Sequence, residues 1–296
     1  MDIWVEKYRP SNLEEYIGNE SVKDKVAEFL NEGSIQNLLL YGSAGGGKTS
    51  LAKLIVKGLE ADYLYINASD ERGIDTIRDK IIPFASTISF SGTKIVILDE
   101  ADYLTPQAQA TLRNTIESFS TSCRFILTCN YLERIISPLQ SRCLAFHIVP
   151  PSKREVAKKV VDILEKESIE LDKDAVGQII QTHYPDIRKV LNTLQGSIKN
   201  GKIKLDSTSL ANTDFEQKIL DGLKQKTTIA NLRQALADSG AQQFDSLFRF
   251  LYDNVSEFTN NVGMAIVIIA QYQYEYTFVI DKEICVAAML NKLLEI

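Results

Sequence analysis

Residues 42–49 read Gly42-Ser43-Ala44-Gly45-Gly46-Gly47-Lys48-Thr49, the G-x-x-x-x-G-K-[ST] spacing of a phosphate-binding loop. The run Asn37-Leu38-Leu39-Leu40-Tyr41 precedes it, and a helical pattern with Leu51, Leu54, Ile55 and Leu59 on one face follows. Strand, glycine loop and helix in that order let backbone N–H groups and a helix N-terminus converge on phosphate oxygens. In this reading Gly42, Gly45, Gly46 and Gly47 shape a nucleotide-binding loop and Ser50 follows it at the helix start. Lys48 reaches the β- and γ-phosphates, and the Thr49 hydroxyl ligates Mg²⁺.

A second stretch completes the site. Lys94-Ile95-Val96-Ile97-Leu98-Asp99-Glu100-Ala101-Asp102 is an apolar run of strand length that ends in two adjacent carboxylates, the pattern of a strand buried on both faces. Strand neighbours point to opposite sides, so Asp99 and Glu100 are expected to do different jobs. Asp99 is the candidate Mg²⁺ holder, and Glu100 the candidate general base for an attacking water.

The bulk properties agree. A length of 296 residues with 45% hydrophobic content supports two or three domains with real cores. Cys123, Cys129, Cys143 and Cys285 are scattered with no C-x-x-C pair, so neither a zinc site nor a disulfide framework is expected. Asp2, Glu6, Lys7 and Arg9 interrupt any N-terminal apolar run, which argues against a secretory signal. The late apolar stretch Val262 to Ala270 is too short to span a bilayer. A soluble chain of the cytoplasm, nucleoid or nucleus, neither secreted nor membrane-bound, is the expectation. The net charge of −6 disfavours indiscriminate coating of nucleic acid, but leaves room for a local basic face.

Strand signals at 37–41, 63–67, 94–99, 124–129 and 144–149 alternate with helical stretches, predicting an α/β domain with a mostly parallel sheet over 1–150. Pro150-Pro151 ends it, and Ser152-Lys153-Arg154-Glu155 reads as a capping box opening a helix. A small helical lid is expected over 151–208, and an all-helical domain over 209–296, with the break near Asp206–Ser209. In the last domain Leu247, Phe248, Leu251, Tyr252 and Val255 have helical spacing, and Tyr272, Tyr274 and Tyr276 read as packing or interface. Of the two histidines, His147 falls within a strand and His183 in the lid, and neither is a catalytic candidate.

Five segments in order carry a resemblance: Trp4-Val5-Glu6-Lys7-Tyr8-Arg9-Pro10, the phosphate loop, Asn67-Ala68-Ser69-Asp70-Glu71-Arg72-Gly73, Asp99-Glu100-Ala101-Asp102, and Ser141-Arg142-Cys143. Together they resemble the ATPase subunits of sliding-clamp loaders, AAA+ proteins that include the replication factor C small subunits and the ATPase subunit of T-even-type phage loaders. The resemblance covers about 1–200. Tyr184-Pro185-Asp186-Ile187-Arg188-Lys189 is closer to the phage form, so a phage-type loader is the expectation.

The resemblance implies an ATP- and Mg²⁺-dependent machine. Val5, Glu6, Lys7 and Tyr8, with Arg9, Pro10 and Ile17, would wall an adenine pocket. Asn130 would contact the γ-phosphate or the attacking water, and Arg188 in the lid would bind the γ-phosphate of its own subunit. Arg142 would reach the neighbouring subunit's nucleotide as a finger in trans. Arg72, Arg78 and Lys80 would contact DNA phosphates, and Gln109 and Arg113 would couple the ATP site to DNA and to adjacent subunits. The implied partners are a sliding clamp, primer–template DNA and other loader subunits in a pentamer, with 209–296 as the oligomerisation collar. Related loops read Gly-Pro-Pro-Gly-Thr-Gly-Lys-Thr; here Ser43-Ala44 replaces the prolines and Gly46 the threonine, so a more mobile free loop with weaker nucleotide affinity is expected. Two alternatives remain: another AAA+ remodeller such as a helicase loader or initiator, and a non-catalytic subunit of the same assembly. The first is opposed by the Ser-Arg-Cys segment, the second by the intact Lys48, Thr49, Asp99 and Glu100.

Overall fold

A computed structural model describes residues 3–89, 92–199, 201–203, 207–239 and 244–296. The chain forms two compact units, Met1–Ile203 and Lys204–Ile296. Of the expected break near Asp206–Ser209, Asp206 lies outside the described residues.

The first unit is built on a five-stranded parallel sheet: β1 (Leu38–Tyr41), β2 (Asp62–Asn67), β3 (Lys94–Asp99), β4 (Arg124–Cys129) and β5 (Leu144–His147), in the order β2-β3-β4-β1-β5. The period of two sorts each strand's side chains. Leu39, Val96, Leu98, Phe125 and Leu127 enter one core, while Leu38, Leu40, Ile95, Ile97 and Ile126 enter the other. Both faces are covered, which is why these strands read as unbroken apolar runs. The register sets Tyr41 beside Cys129 and Leu98 beside Leu127. The carboxyl ends of β1, β3 and β4 are therefore level, and their loops open into one crevice, the usual ligand position in such sheets.

The main helices of this unit are α1 (Glu20–Glu32), α2 (Lys48–Gly58), α3 (Pro106–Ser118), α4 (Lys153–Lys166), α5 (Lys173–His183) and α6 (Ile187–Gly196). Local chemistry sets their starts. Thr105 accepts the Ala108 N–H with Pro106 at the first helical position, and Ser152 and Glu155 form the expected capping box on α4. Asp172 and Asp186 cap α5 and α6. Residues 74–86 form a continuous helical segment with a π-turn at Ile77–Ile81. Pro83 lacks the N–H that would close an α-turn onto Asp79, a reason for the wider turn just before it. The short helical turn Trp4–Lys7 lies against α6, where Trp4 is buried and its N–H donates to Gln195 Oε1 at 3.0 Å.

The second unit is helical: α7 (Ser207–Lys224), α8 (Ile229–Ser239), α9 (Asp245–Asp253), α10 (Val262–Tyr276) and α11 (Lys282–Leu294). Of the residues at helical spacing, Leu247, Phe248, Leu251 and Val255 pack in its core, whereas Tyr252 is exposed. The tyrosine cluster divides. Tyr272 and Tyr276 are buried, and the Tyr276 hydroxyl accepts the Phe244 N–H at 2.7 Å. Tyr274 is 70% exposed and packs edge-on against the exposed Phe278. No helix of the described residues is long and apolar enough to cross a membrane.

Candidate nucleotide site

The glycine loop leaves β1 through a backbone that favours glycine at Gly42, Gly45 and Gly47, all at positive φ. At Gly42 (φ +147) a Cβ would lie 2.3 Å from the Ile148 carbonyl oxygen. At Gly45 (φ +73) it would lie 2.4 Å from Asp186 Oδ1, so the cap of lid helix α6 presses directly on the loop. Gly46 has neither constraint to the same degree: its Cβ would meet only the Ser43 carbonyl oxygen, at 3.2 Å.

Lys48, at the start of α2, is 8% exposed. Its Nζ donates to the Gly42 carbonyl at 2.9 Å, the Ser43 carbonyl at 2.8 Å and Asn130 Oδ1 at 2.8 Å. Burial pushes this ammonium below its ordinary range, and Cys129, Asp99, Asp102 and Glu100 oppose the shift. One residue on, the Thr49 hydroxyl donates to Asp99 Oδ1 and Oδ2 at 2.8 and 3.0 Å. Asp99 also accepts from Thr128 Oγ1 at 2.6 Å and Tyr65 OH at 2.8 Å. A hydroxyl and a carboxylate at this separation are the hard oxygen donors that suit Mg²⁺, which takes few protein ligands and completes its shell with water and phosphate.

Glu100 sits in the left-handed region at φ 56, ψ 42, a costly conformation for a side-chain-bearing residue. Its N–H donates to Thr128 Oγ1 at 3.0 Å, which holds the turn. Its carboxylate has no hydrogen-bond partner among the described residues. Asp99 and Glu100 are thus separated by this turn after β3, not by strand alternation as the sequence reading supposed, because β3 ends at Asp99. Asp102, 6% exposed, accepts the Asn130 and Tyr131 N–H groups at 3.4 and 3.3 Å through Oδ2. The last carboxylate of the acidic motif therefore positions the turn that presents Asn130 to Lys48.

An open cavity runs from this loop between the N-terminal segment and the lid. Val5, Tyr8, Pro10, Tyr16 and Ile17 supply its apolar and aromatic wall beside the charged Arg9, Gly45 to Ser50 its phosphate end, and Lys159, Ile187, Arg188 and Leu191 its lid side. Burial pushes the Tyr16 phenol up to about 12, so it is neutral and packs beneath Gly47.

Comparison with known proteins agrees with this geometry. The AAA family model (ATPase family associated with various cellular activities) matches residues 38–151. A replication factor C small subunit of Haloarcula marismortui is 37% identical over 270 residues, 85% of this chain and 83% of that protein. The chain belongs to the replication factor C small subunit family.

The same protein of Archaeoglobus fulgidus is 43% identical over 209 residues, 68% of this chain and 66% of its own length. Both of these relatives are archaeal, whereas the lid segment 184–189 leads to the expectation of a phage-type loader. Among solved structures, the Thermotoga maritima RuvB Holliday junction branch migration motor superposes with a TM-score of 0.58 over 78% of this chain and 85% of that one, at 18% identity; this is a likeness of fold.

The structure gathers Val5, Tyr8, Ile17, Gly45, Gly46, Gly47, Lys48, Thr49, Ser50 and Arg188 around the cavity and Asp99 and Asn130 beside Lys48 and Thr49. Glu6 and Lys7 do not line it: their side chains pair with Arg9 and Glu167, because the helical turn points them away while Val5 and Tyr8 face inward. Gly42 contributes a carbonyl to Lys48 instead of lining the cavity. Arg188 is exposed on the lid face, and Asp186 serves the helix cap. Arg72 and Arg78 are exposed, whereas Lys80 is paired with Glu71 at 2.7 Å. Gln109 is 2% exposed; its amide donates to the Leu104 and Arg134 carbonyls and accepts the Ile136 N–H, tying α3 to the segment after Asn130. Arg113 bonds only the adjacent Asn114 side chain among the described residues. Arg142 lies away from the cavity, against Glu117 and the Pro138 carbonyl. Sequence reasoning missed Tyr16, Lys159, Thr128 and Tyr65 as parts of the site. Only the chain's folding brings them there, and no local pattern marks them.

Proposed function

We propose that this chain is an ATP-hydrolysing subunit of a sliding-clamp loader in DNA replication. The convergence of Lys48, Thr49, Asp99 and Asn130 at the level ends of β1, β3 and β4, with the Glu100 carboxylate beside them and unpaired among the described residues, carries this reading. Adenine would lie against Tyr8, Val5 and Ile17, with the triphosphate over the loop. Thr49 and Asp99 would hold Mg²⁺, which supplies charge neutralisation of the β- and γ-phosphates when bound. Lys48 is poised to exchange its carbonyl partners for phosphate oxygens, and Asn130 to orient the attacking water. Glu100, whose carboxylate has no hydrogen-bond partner among the described residues, would take that water's proton. Arg188 and Lys159 would close the lid on the phosphates, and Arg142 would complete a neighbour's site in trans.

The proposed partition is an ATPase domain over 1–150, a lid over 151–208 and an oligomerisation collar over 209–296. The exposed Met264, Val267, Tyr274 and Phe278 on and just after α10 favour an interface there. Arg72, Arg78 and Lys80 would contact the phosphates of primer–template DNA without reading its sequence. Gln109 would relay that contact to Asn130, and Arg113 would relay it to an adjacent subunit. ATP binding would assemble the loader and open the clamp; DNA entry would trigger hydrolysis and release.

The test is ATP hydrolysis by the purified chain, alone and with primer–template DNA, the clamp and companion subunits. Stimulation by the complete mixture is expected, and Glu100→Gln should remove hydrolysis while ATP still binds. Hydrolysis indifferent to DNA and clamp would move the reading to another AAA+ remodeller, and absence of ATP binding to a non-catalytic subunit.

A further inference from the structure

We propose that Tyr65 is a positioning residue for the Asp99 carboxylate, and that its hydroxyl sets the affinity of the site for a divalent cation; this rests on the nucleotide-site reading above. Asp99 is 8% exposed, and a buried carboxylate must be met by donors. Three hydroxyls meet it, from three different elements. Thr49 is part of the phosphate loop and would itself ligate the metal. Thr128, on the neighbouring strand β4, donates to Oδ1 at 2.6 Å. Tyr65, on β2, donates to Oδ2 at 2.8 Å.

The strand register explains the reach. Asn67 pairs with Asp99 and Tyr65 with Ile97, so Tyr65 lies on the face that Asn67 and Asp99 share, two residues upstream. A phenol is long enough to cover that step. With the Thr49 hydroxyl turned to the metal, Thr128 alone would anchor one oxygen and leave the carboxylate free to pivot about its terminal torsion, which is a soft rotation. Tyr65 anchors the other oxygen. Its ring is itself braced: Lys53 Nζ lies 4.8 Å from the ring centroid. Lys53 stands one turn beyond Thr49 on α2, so the helix that carries the metal-ligating hydroxyl also holds the tyrosine. Tyr65 does not line the nucleotide cavity, so its effect should reach the metal and not the nucleotide itself.

The experiment uses the full chain with Tyr65→Phe, which keeps the ring and removes the hydroxyl. Mn²⁺ serves as the probe, its free concentration followed by electron paramagnetic resonance in the presence of a non-hydrolysable ATP analogue. Binding of a fluorescent ATP analogue in EDTA is measured in parallel. Loss of an outer-shell partner typically weakens metal binding by at least about tenfold, so the Mn²⁺ dissociation constant should rise by about that much with metal-free nucleotide affinity unchanged. Unchanged or tighter Mn²⁺ binding would overturn the proposal. Equal loss of metal-dependent and metal-free nucleotide binding would also overturn it, since that is the mark of a packing role. If the wild-type chain with nucleotide binds no Mn²⁺, the metal-site reading beneath it fails as well.

Discussion

Arg142 Nε donates to Glu117 Oε1 of its own chain at 2.7 Å. The guanidinium also donates to the Pro138 carbonyl at 2.6 Å, so the proposed finger is held in cis. Half of the Glu117 side chain is exposed, and exposed ion pairs contribute only about 0.2–1 kcal/mol. A neighbour's triphosphate can therefore displace Glu117 readily. Arg142→Ala is expected to lower hydrolysis by the assembled loader by roughly 10³-fold, the scale of such fingers, with ATP binding intact. Glu117→Gln should change the same rate by less than about fivefold. Steady-state rates of the two variants decide it: an equal loss in both would mean the pair is structural.

Two neighbouring glycines should respond differently to a single methyl group. Gly45→Ala places a Cβ in the left-handed region and against the Asp186 carboxylate, and the backbone term alone is about 1–2 kcal/mol. Titration with a fluorescent nucleotide should show about tenfold weaker binding. Gly46→Ala asks the Ser43 carbonyl to yield only slightly and removes freedom from the free loop. Its affinity should stay within about threefold of wild type, or improve.

Tyr8 links the cavity wall to the lid. Its hydroxyl donates to Glu167 Oε1 at 2.6 Å, and Lys7 Nζ lies 2.6 Å from the same oxygen. If the ring's apolar face is what holds a base, Tyr8→Ala should weaken ATP binding by at least about tenfold, since an aromatic ring contributes a few kcal/mol when covered. Glu167→Ala removes one exposed and one part-buried polar contact but leaves the ring in place, and should cost less than about threefold. Calorimetric titration of both variants measures this, and the reverse order would remove Tyr8 from the base-binding wall.

His183 makes the lid sensitive to acid. Its ring nitrogen lies 3.1 Å from Thr193 Oγ1. Burial, then the Lys189 charge, hold its pKa below the ordinary value, with Asp186 opposing. The unfolded chain takes a proton near pH 6.5 that the folded lid resists. The stabilisation is thus fully present above about pH 6.5 and is lost as pH falls through the lower folded value. Trp4, the one tryptophan, is buried on α6 and reports the lid. Urea midpoints from its fluorescence should drop between pH 7 and 5.5, and His183→Gln should flatten that drop.

Much of the fold was legible because its evidence is local. The phosphate loop must sit between a strand and a helix, and β3 is buried on both faces, so periodicity and spacing identified the sheet strands within two residues. Gly42, Lys48, Thr49 and Asp99 could be read because each belongs to a short motif whose spacing is itself the chemistry. Glu6 and Lys7 were misplaced because a four-residue helical turn decides their direction, and no periodicity emerges from so few residues. Tyr252 shares the helical spacing of Leu247, Phe248, Leu251 and Val255 yet is exposed, because helical spacing cannot locate the edge of a buried stripe.

The sequence by itself determined the α/β class, the strand-loop-helix that carries the phosphate site, and the acidic pair at the end of β3, since each depends on residues near one another in the chain. Only the tertiary structure decided that Asp186 bears on Gly45, that Glu167 holds Tyr8, that Glu117 holds Arg142, and that Tyr65 and Thr128 fix the two oxygens of Asp99. The physical reason is separation. These pairs lie from 25 to 159 residues apart, and the packing of strands, loops and helices, not chain order, makes them neighbours.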